Sequence, residues 1–186
     1  MAPSKRVYVA LLRGINVGGR NLVSMDGLKE MFSAIGCRAV ETFIQSGNVV
    51  FQGAERVARA VPEVISESIS KHYGLQIPVV VRTAEELQRA VQANPFLRIA
   101  ADVATLHVAF LAERPTATRL ASLDPLRSPP DEAIAMNREV YLRLPNGAGR
   151  TKFTNAYLDS KLATTSTVRN WRTVLTLVEM ATSRRP

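Results

Sequence analysis

The sequence predicts an α+β protein built from two ferredoxin-like (split βαβ) halves, the second incomplete, followed by a C-terminal helix. Three observations carry this expectation. Short β-branched runs alternate with stretches whose apolar residues recur at helical spacing. Residues 1–82 give the order β-α-β-β-α-β, which is the split βαβ order, and residues 83–186 repeat it only as far as β-α-β-β-α before the last helix. The expected organisation is therefore a ferredoxin-like subdomain over 1–82 and a second α+β subdomain with C-terminal helices over 83–186.

Each element has a local reason. Arg6 to Arg13 is apolar and β-branched enough for a buried strand. Met25, Leu28, Phe32 and Ile35 then recur at helical spacing, with Ser24 placed as N-cap and Gly36 as the left-handed stop. Arg38–Ile44 and Asn48–Gln52 read as a hairpin across Gln45-Ser46-Gly47. Val57, Val61, Val64, Ile65, Ile69 and Tyr73 mark a second helix ended by Gly74, with a kink or late start expected at Pro62. Ile77–Arg82 closes the half as a strand. Thr83-Ala84-Glu85-Glu86 is a capping box leading into a helix that ends at Asn94-Pro95. Val103–Leu111 reads as a strand, Ala117–Leu123 as a short helix, and Ile134–Met136 with Val140–Leu144 as a hairpin. Helices are expected near Lys152–Leu162 and Val168–Met180, and Thr182–Pro186 as a frayed tail.

Composition narrows the function. With 186 residues and 46% hydrophobic side chains the chain can hold a core without crosslinks. One cysteine, Cys37, excludes an internal disulfide framework, and two histidines are too few for a Cys/His zinc site. The reading is a cytoplasmic protein with no metal, no cofactor and no membrane span, its oligomeric state left open. The net charge of +8 sits at the two ends: residues 1–23 carry +4, residues 143–186 carry +6, and the middle carries −2. Such blocks point to an anionic partner where the ends meet, and equally to an arginine-rich composition, since 19 of the 24 basic residues are arginine.

Three polar clusters are candidate sites. Arg13-Gly14-Ile15-Asn16-Val17-Gly18-Gly19-Arg20-Asn21 joins strand to helix; its glycines permit close backbone approach and its arginines offer planar donor forks for phosphate or carboxylate. It lacks the P-loop ending and the dinucleotide glycine spacing. Gln45, Ser46, Gly47 and Asn48 form a turn whose Gln45 no turn requires. Thr165–Thr173 reads as the opening of the last helix, with Arg169, Asn170 and Trp171 in its first turn, where anions are favoured by the helix dipole. Lys152 is a further candidate. Each stretch also reads as an ordinary connector, turn or cap. His72 and His107 fall outside these clusters and read as structural or solvent-facing, and no carboxylate pair accompanies them, so catalytic residues are unknown.

Leu11–Gly19, Met25, Thr42–Phe51 and Thr167–Thr173 together resemble the DUF1697 family of uncharacterised small bacterial proteins. The resemblance implies a cytoplasmic α+β protein of two ferredoxin-like halves with no established activity. Where the family commonly has asparagine this chain has Arg172. The functional expectation is a binding protein for a phosphate-bearing ligand, nucleic acid or nucleotide, through Arg13, Gly14, Asn16, Gly18, Gly19, Arg20, Gln45, Ser46, Asn48, Lys152, Arg169, Asn170 and Trp171. The alternatives are an enzyme acting on a small phosphorylated or carboxylated metabolite, and a protein-interaction module in which the polar clusters are structural.

Overall fold

The computed structural model describes residues 6–99 and 101–184. They form a mixed α+β structure with two four-stranded antiparallel sheets. The chain divides into two compact units, Met1–Gln88 with Thr176–Pro186, and Arg89–Leu175.

In the first unit β1 (Arg6–Leu12), α1 (Met25–Ala34), β2 (Arg38–Phe43), β3 (Asn48–Gly53), α2 (Glu55–Tyr73) and β4 (Val79–Thr83) follow one another, and the sheet order is β2-β3-β1-β4. Alternation along the strands decides the packing. Tyr8, Ala10, Leu12, Val49, Phe51 and Val79 join Leu28 and Phe32 of α1 and Val61, Ile65 and Ile69 of α2 in one core. Tyr8 stacks on Phe51 at 5.5 Å, and Phe32 meets the same ring at 5.4 Å, the offset and tilted geometries that aromatic quadrupoles favour. The opposite face is buried too, with Val9, Leu11, Val50, Val80 and Arg82 at 1% exposure or less. Ser24 caps α1 by accepting from the Gly27 amide. Helix α2 runs through Pro62 without interruption, against the expected late start, anchored by four buried residues on one face and by left-handed Gly74 at its end.

The β2–β3 register shifts between Arg38 and Glu41, where Ala39 takes a positive φ of 48°. A bulge of this kind leaves a carbonyl outside the ladder. Arg184 donates to the Ala39 carbonyl at 2.7 Å and pairs with Glu41, while Gln52 donates to the Arg184 carbonyl. The expected fraying of the tail is thus corrected as far as Arg184; residues 185–186 lie outside the described residues.

The second unit repeats the order. β5 (Leu106–Leu111), α4 (Ala117–Ala121), β6 (Glu132–Met136), β7 (Glu139–Arg143), α5 (Asn155–Leu162) and β8 (Ser166–Asn170) form a sheet in the order β6-β7-β5-β8. Ala109, Leu111, Val140, Leu142 and Leu144 pack against Tyr157, Leu158 and Leu162 of α5. This sheet is complete, which corrects the expectation of an incomplete second half. Residues 166–170, read from sequence as the start of the last helix, form its fourth strand. The reason lies in the ladder: Ser166 to Asn170 pair with Leu111 to His107, and the Ser166 amide and hydroxyl are both fixed by Asp159 at 2.7 and 2.6 Å.

Two further helices follow the sheets, α3 (Ala84–Gln92) and α6 (Trp171–Thr182), and the division into units falls within each of them. The capping box of α3 is formed in both directions, Glu86 to the Thr83 amide at 2.9 Å and Thr83 to the Glu86 amide at 3.1 Å. At the corresponding position before α6, Asn170 accepts from the Thr173 amide at 2.8 Å.

The hairpin turn supplies a test of the packing. Gly47 has φ +78°, and a Cβ there would lie 2.7 Å from the Leu12 Cβ and 3.0 Å from Ile15. Gly47→Ala is expected to destabilise the protein by about 2–4 kcal/mol, read as a lowered urea midpoint.

Candidate functional site

In the first unit the first two polar clusters are joined, and most of their polarity is used internally. The Asn16 side-chain amide donates to the Val23 and Gln45 carbonyls, each at 2.9 Å, and its oxygen accepts from the Val23 amide at 2.9 Å. Asn16 itself takes φ 53°, a left-handed conformation asparagine tolerates better than most residues. The Asn21 side chain donates to the Gly14 carbonyl, and the Arg20 amide to the Val17 carbonyl. Asn48 is fully buried and donates to the Phe43 carbonyl and the Ser46 hydroxyl. These amides therefore build the loop and the turn. Arg20, Gly14, Gly18, Gly19 and Gln45 are exposed, and Arg13 is half-buried. Val17, Leu22 and Ile44 are exposed alongside them, at 60%, 66% and 53%.

In the second unit the site residues separate. Arg169 is buried in β8, where its guanidinium donates to the Thr167 hydroxyl at 2.8 Å and the Val168 carbonyl at 2.9 Å, and burial pushes its pKa down to about 10. It remains protonated at neutral pH and is held by the sheet. Lys152 is exposed; its backbone is tied to Ser128 and Arg127. Asn170 and Trp171, by contrast, line a pocket of about 470 Å³ with Arg172 and His107.

This pocket exists because β8 ends where α6 begins. Asn170 is the last residue of the strand, and its ladder partner on β5 is His107. The chain then turns into α6, burying Trp171 at 3% exposure and leaving Arg172 exposed. Val103, Ala148 and Leu175 supply apolar lining. Arg172 is the one charged residue of the described lining at neutral pH, and no Asp or Glu is among the lining residues. His107 Nδ1 lies 3.2 Å from the Thr105 carbonyl oxygen, and burial lowers its pKa from the ordinary 6.5. Its placement beside Asn170 and Trp171 corrects the expectation that it stands apart from the polar clusters. The signal that sequence reasoning lacked was the β5–β8 register; Arg172, visible as a departure from the resembling family, lay one residue beyond the chosen set.

A second pocket of about 270 Å³ is lined by Thr151, Thr154 and Asn155 with apolar neighbours such as Phe153 and Val168. Among the described residues no group of three His, Cys, Asp or Glu side chains is arranged to hold a metal ion. Cys37 is buried, and desolvation pushes its thiol pKa up to about 11, which makes it a poor nucleophile.

A family model described as "protein of unknown function (DUF1697)" matches residues 6–141. The chain belongs to the DUF1697 family. The matched stretch contains both polar clusters of the first unit and His107, while Asn170, Trp171 and Arg172 lie beyond it. Among solved structures, a conserved bacterial protein of Streptococcus pneumoniae is similar over 96% of this chain and 99% of that one, with a TM-score of 0.72 and 22% identity. That likeness shows the fold alone. No curated protein sequence matches the chain.

Two outcomes test the roles assigned to these side chains. Asn16→Ala removes three hydrogen bonds from the loop and is expected to cost about 2–3 kcal/mol, whereas Arg20→Ala is expected to change stability by less than about 0.5 kcal/mol in the same chemical denaturation. His107 has a folded pKa below its unfolded value, so at acid pH the unfolded chain binds more protons. Stability therefore falls as pH drops below about 6.5, and this part of the slope is expected to vanish in His107→Gln when urea midpoints are compared across pH.

Proposed function

We propose that this protein binds a small phosphate-bearing ligand, a nucleotide rather than a nucleic-acid chain, in the pocket at the start of α6. The observation that carries the reading is the lining itself. A volume of about 470 Å³ is in the range of small-molecule sites, and the lining combines Arg172 and Asn170 with Trp171 and apolar walls, without any carboxylate. A guanidinium offers the fork that a phosphate oxygen pair accepts, and the positive end of the α6 dipole favours the same charge. The first-unit residues Arg13, Gly14, Gly18, Gly19, Arg20, Gln45 and Ser46 enter the proposal as an electropositive loop of that unit; Asn16 and Asn48 enter as the amides that shape it.

The finer reading of the fold belongs to the same proposal. The β-α-β-β-α-β order with the sheet order β2-β3-β1-β4, and its counterpart β6-β7-β5-β8, support a ferredoxin-like arrangement in each unit. A subdomain boundary at 82/83 would place the Thr83 capping box at the head of the second half. A cytoplasmic setting is supported by the single, buried Cys37. Among the described residues no helix is long and apolar enough to cross a membrane.

A protein-interaction role is favoured by one separate observation, the exposed Val17, Leu22 and Ile44 beside the joined loop and turn.

Trp171 is the only tryptophan and lines the pocket, so its fluorescence reports occupancy directly. Titration with adenosine monophosphate is expected to saturate at one equivalent, and Arg172→Ala is expected to weaken it by about tenfold or more. Short single-stranded RNA and DNA are expected to give no tighter response and no steep salt dependence. A flat response to every nucleotide and oligonucleotide overturns the phosphate reading and leaves the interaction surface.

A further inference from the structure

The inference rests on the pocket reading above and concerns His107. Its Nδ1 lies 3.2 Å from the Thr105 carbonyl oxygen. A carbonyl only accepts, so this contact is a hydrogen bond when Nδ1 carries the proton. Burial disfavours a second proton and keeps the ring neutral at pH 7. A neutral imidazole protonated on Nδ1 holds its lone pair on Nε2, and no hydrogen bond from a described residue reaches that atom. His107 lines the pocket.

The other polar groups of the lining have the opposite character. Arg172 is a donor at every pH of interest. The Asn170 oxygen accepts from the Thr173 amide, and its NH₂ is a donor. The phosphate group of a monoester dianion consists of acceptors and suits both, but it offers nothing to the His107 lone pair. A pocket that sets one neutral acceptor beside a cation and an amide donor matches a ligand carrying a donor near its phosphate.

We propose that the ligand is a phosphate monoester bearing free hydroxyls, a sugar phosphate or a ribonucleotide, with one hydroxyl donating to Nε2 of His107 while Arg172 and Asn170 take the phosphate. His107 then sets specificity: a ligand without the hydroxyl leaves a partly buried acceptor unpaired, and that loss discriminates more strongly than a missing apolar contact does.

The test compares four probes on the full chain by Trp171 fluorescence and calorimetry: ribose phosphate, adenosine monophosphate, its dideoxy counterpart lacking both ribose hydroxyls, and inorganic phosphate. Ribose phosphate and adenosine monophosphate are expected to bind about tenfold or more tightly than the dideoxy compound and inorganic phosphate. His107→Phe, which keeps a ring and removes the acceptor, is expected to erase that preference; His107→Gln, with a carbonyl acceptor, is expected to restore part of it. If ribose phosphate equals adenosine monophosphate the hydroxylated sugar is the recognised part, and if the nucleotide is tighter the base contributes; both support the proposal. Equal binding of all four probes overturns the proposal and leaves the phosphate site standing. A hydroxyl preference that survives His107→Phe also overturns it. Binding of none of them, inorganic phosphate included, removes the phosphate site itself and the proposal with it. Should His107→Phe fail to fold, the ¹⁵N shift of His107 Nε2 in the unaltered protein decides: a change on adding adenosine monophosphate that the dideoxy compound does not produce supports the proposal, and no difference between the two overturns it.

Discussion

The antiparallel ladder joining β5 to β8 is the constraint on which the second unit's site depends. It sets His107 opposite Asn170 and Val108 opposite Arg169. Partners in such a ladder share a face of the sheet, so the register places an imidazole and an amide together although they are 63 positions apart in sequence. The same register fixes where the strand stops. Asn170 ends β8 and caps α6, Trp171 is drawn into the interior, and Arg172 is left at the pocket. A slip of one residue would send every one of these side chains to the other face.

The two units solve the same problem with the same topology and different chemistry. In each, the fourth strand carries an arginine one residue before the cap of the following helix: Arg82 before Thr83, and Arg169 before Asn170. Each arginine donates to the carbonyl of the residue before it, Val81 at 3.1 Å and Val168 at 2.9 Å. Each is buried and sits opposite an equivalent valine of the central strand, Val9 or Val108. A guanidinium in such a place must be met by acceptors, because desolvating an unmatched charge costs several kcal/mol. The two units diverge at the next ladder position. Tyr8, opposite Thr83, stacks in an aromatic core, while His107, opposite Asn170, lines a pocket.

Polar density in a sequence does not distinguish a binding loop from a loop that binds itself. Asn16 and Asn48 are candidate amides of the first two clusters, and both donate to backbone carbonyls or a hydroxyl within the fold. Irregular backbone must satisfy its own donors and acceptors, and asparagine does this well because it both donates and accepts and tolerates positive φ. Arg169 follows the same pattern in β8.

The sequence by itself determined the order of the elements in the first unit, the Ser24 cap and the Thr83–Glu86 box, because these depend on contacts within a few residues. It also determined the mixed α+β class and the family, through strings such as Leu11–Gly19 and Thr42–Phe51. Tertiary structure decided the rest. Ser166 to Asn170 carry hydroxyls that suit a helix start, and only pairing with β5 and the grip of Asp159 make them a strand. Pro62 argues locally for a break, and the buried face of α2 overrides it. His107 gains its neighbours from residues on a strand that local pattern assigned to a helix. The physical reason is common to all three: cross-strand hydrogen bonds and core burial act over long sequence separations, and where they outweigh local propensity no window of the sequence contains the answer.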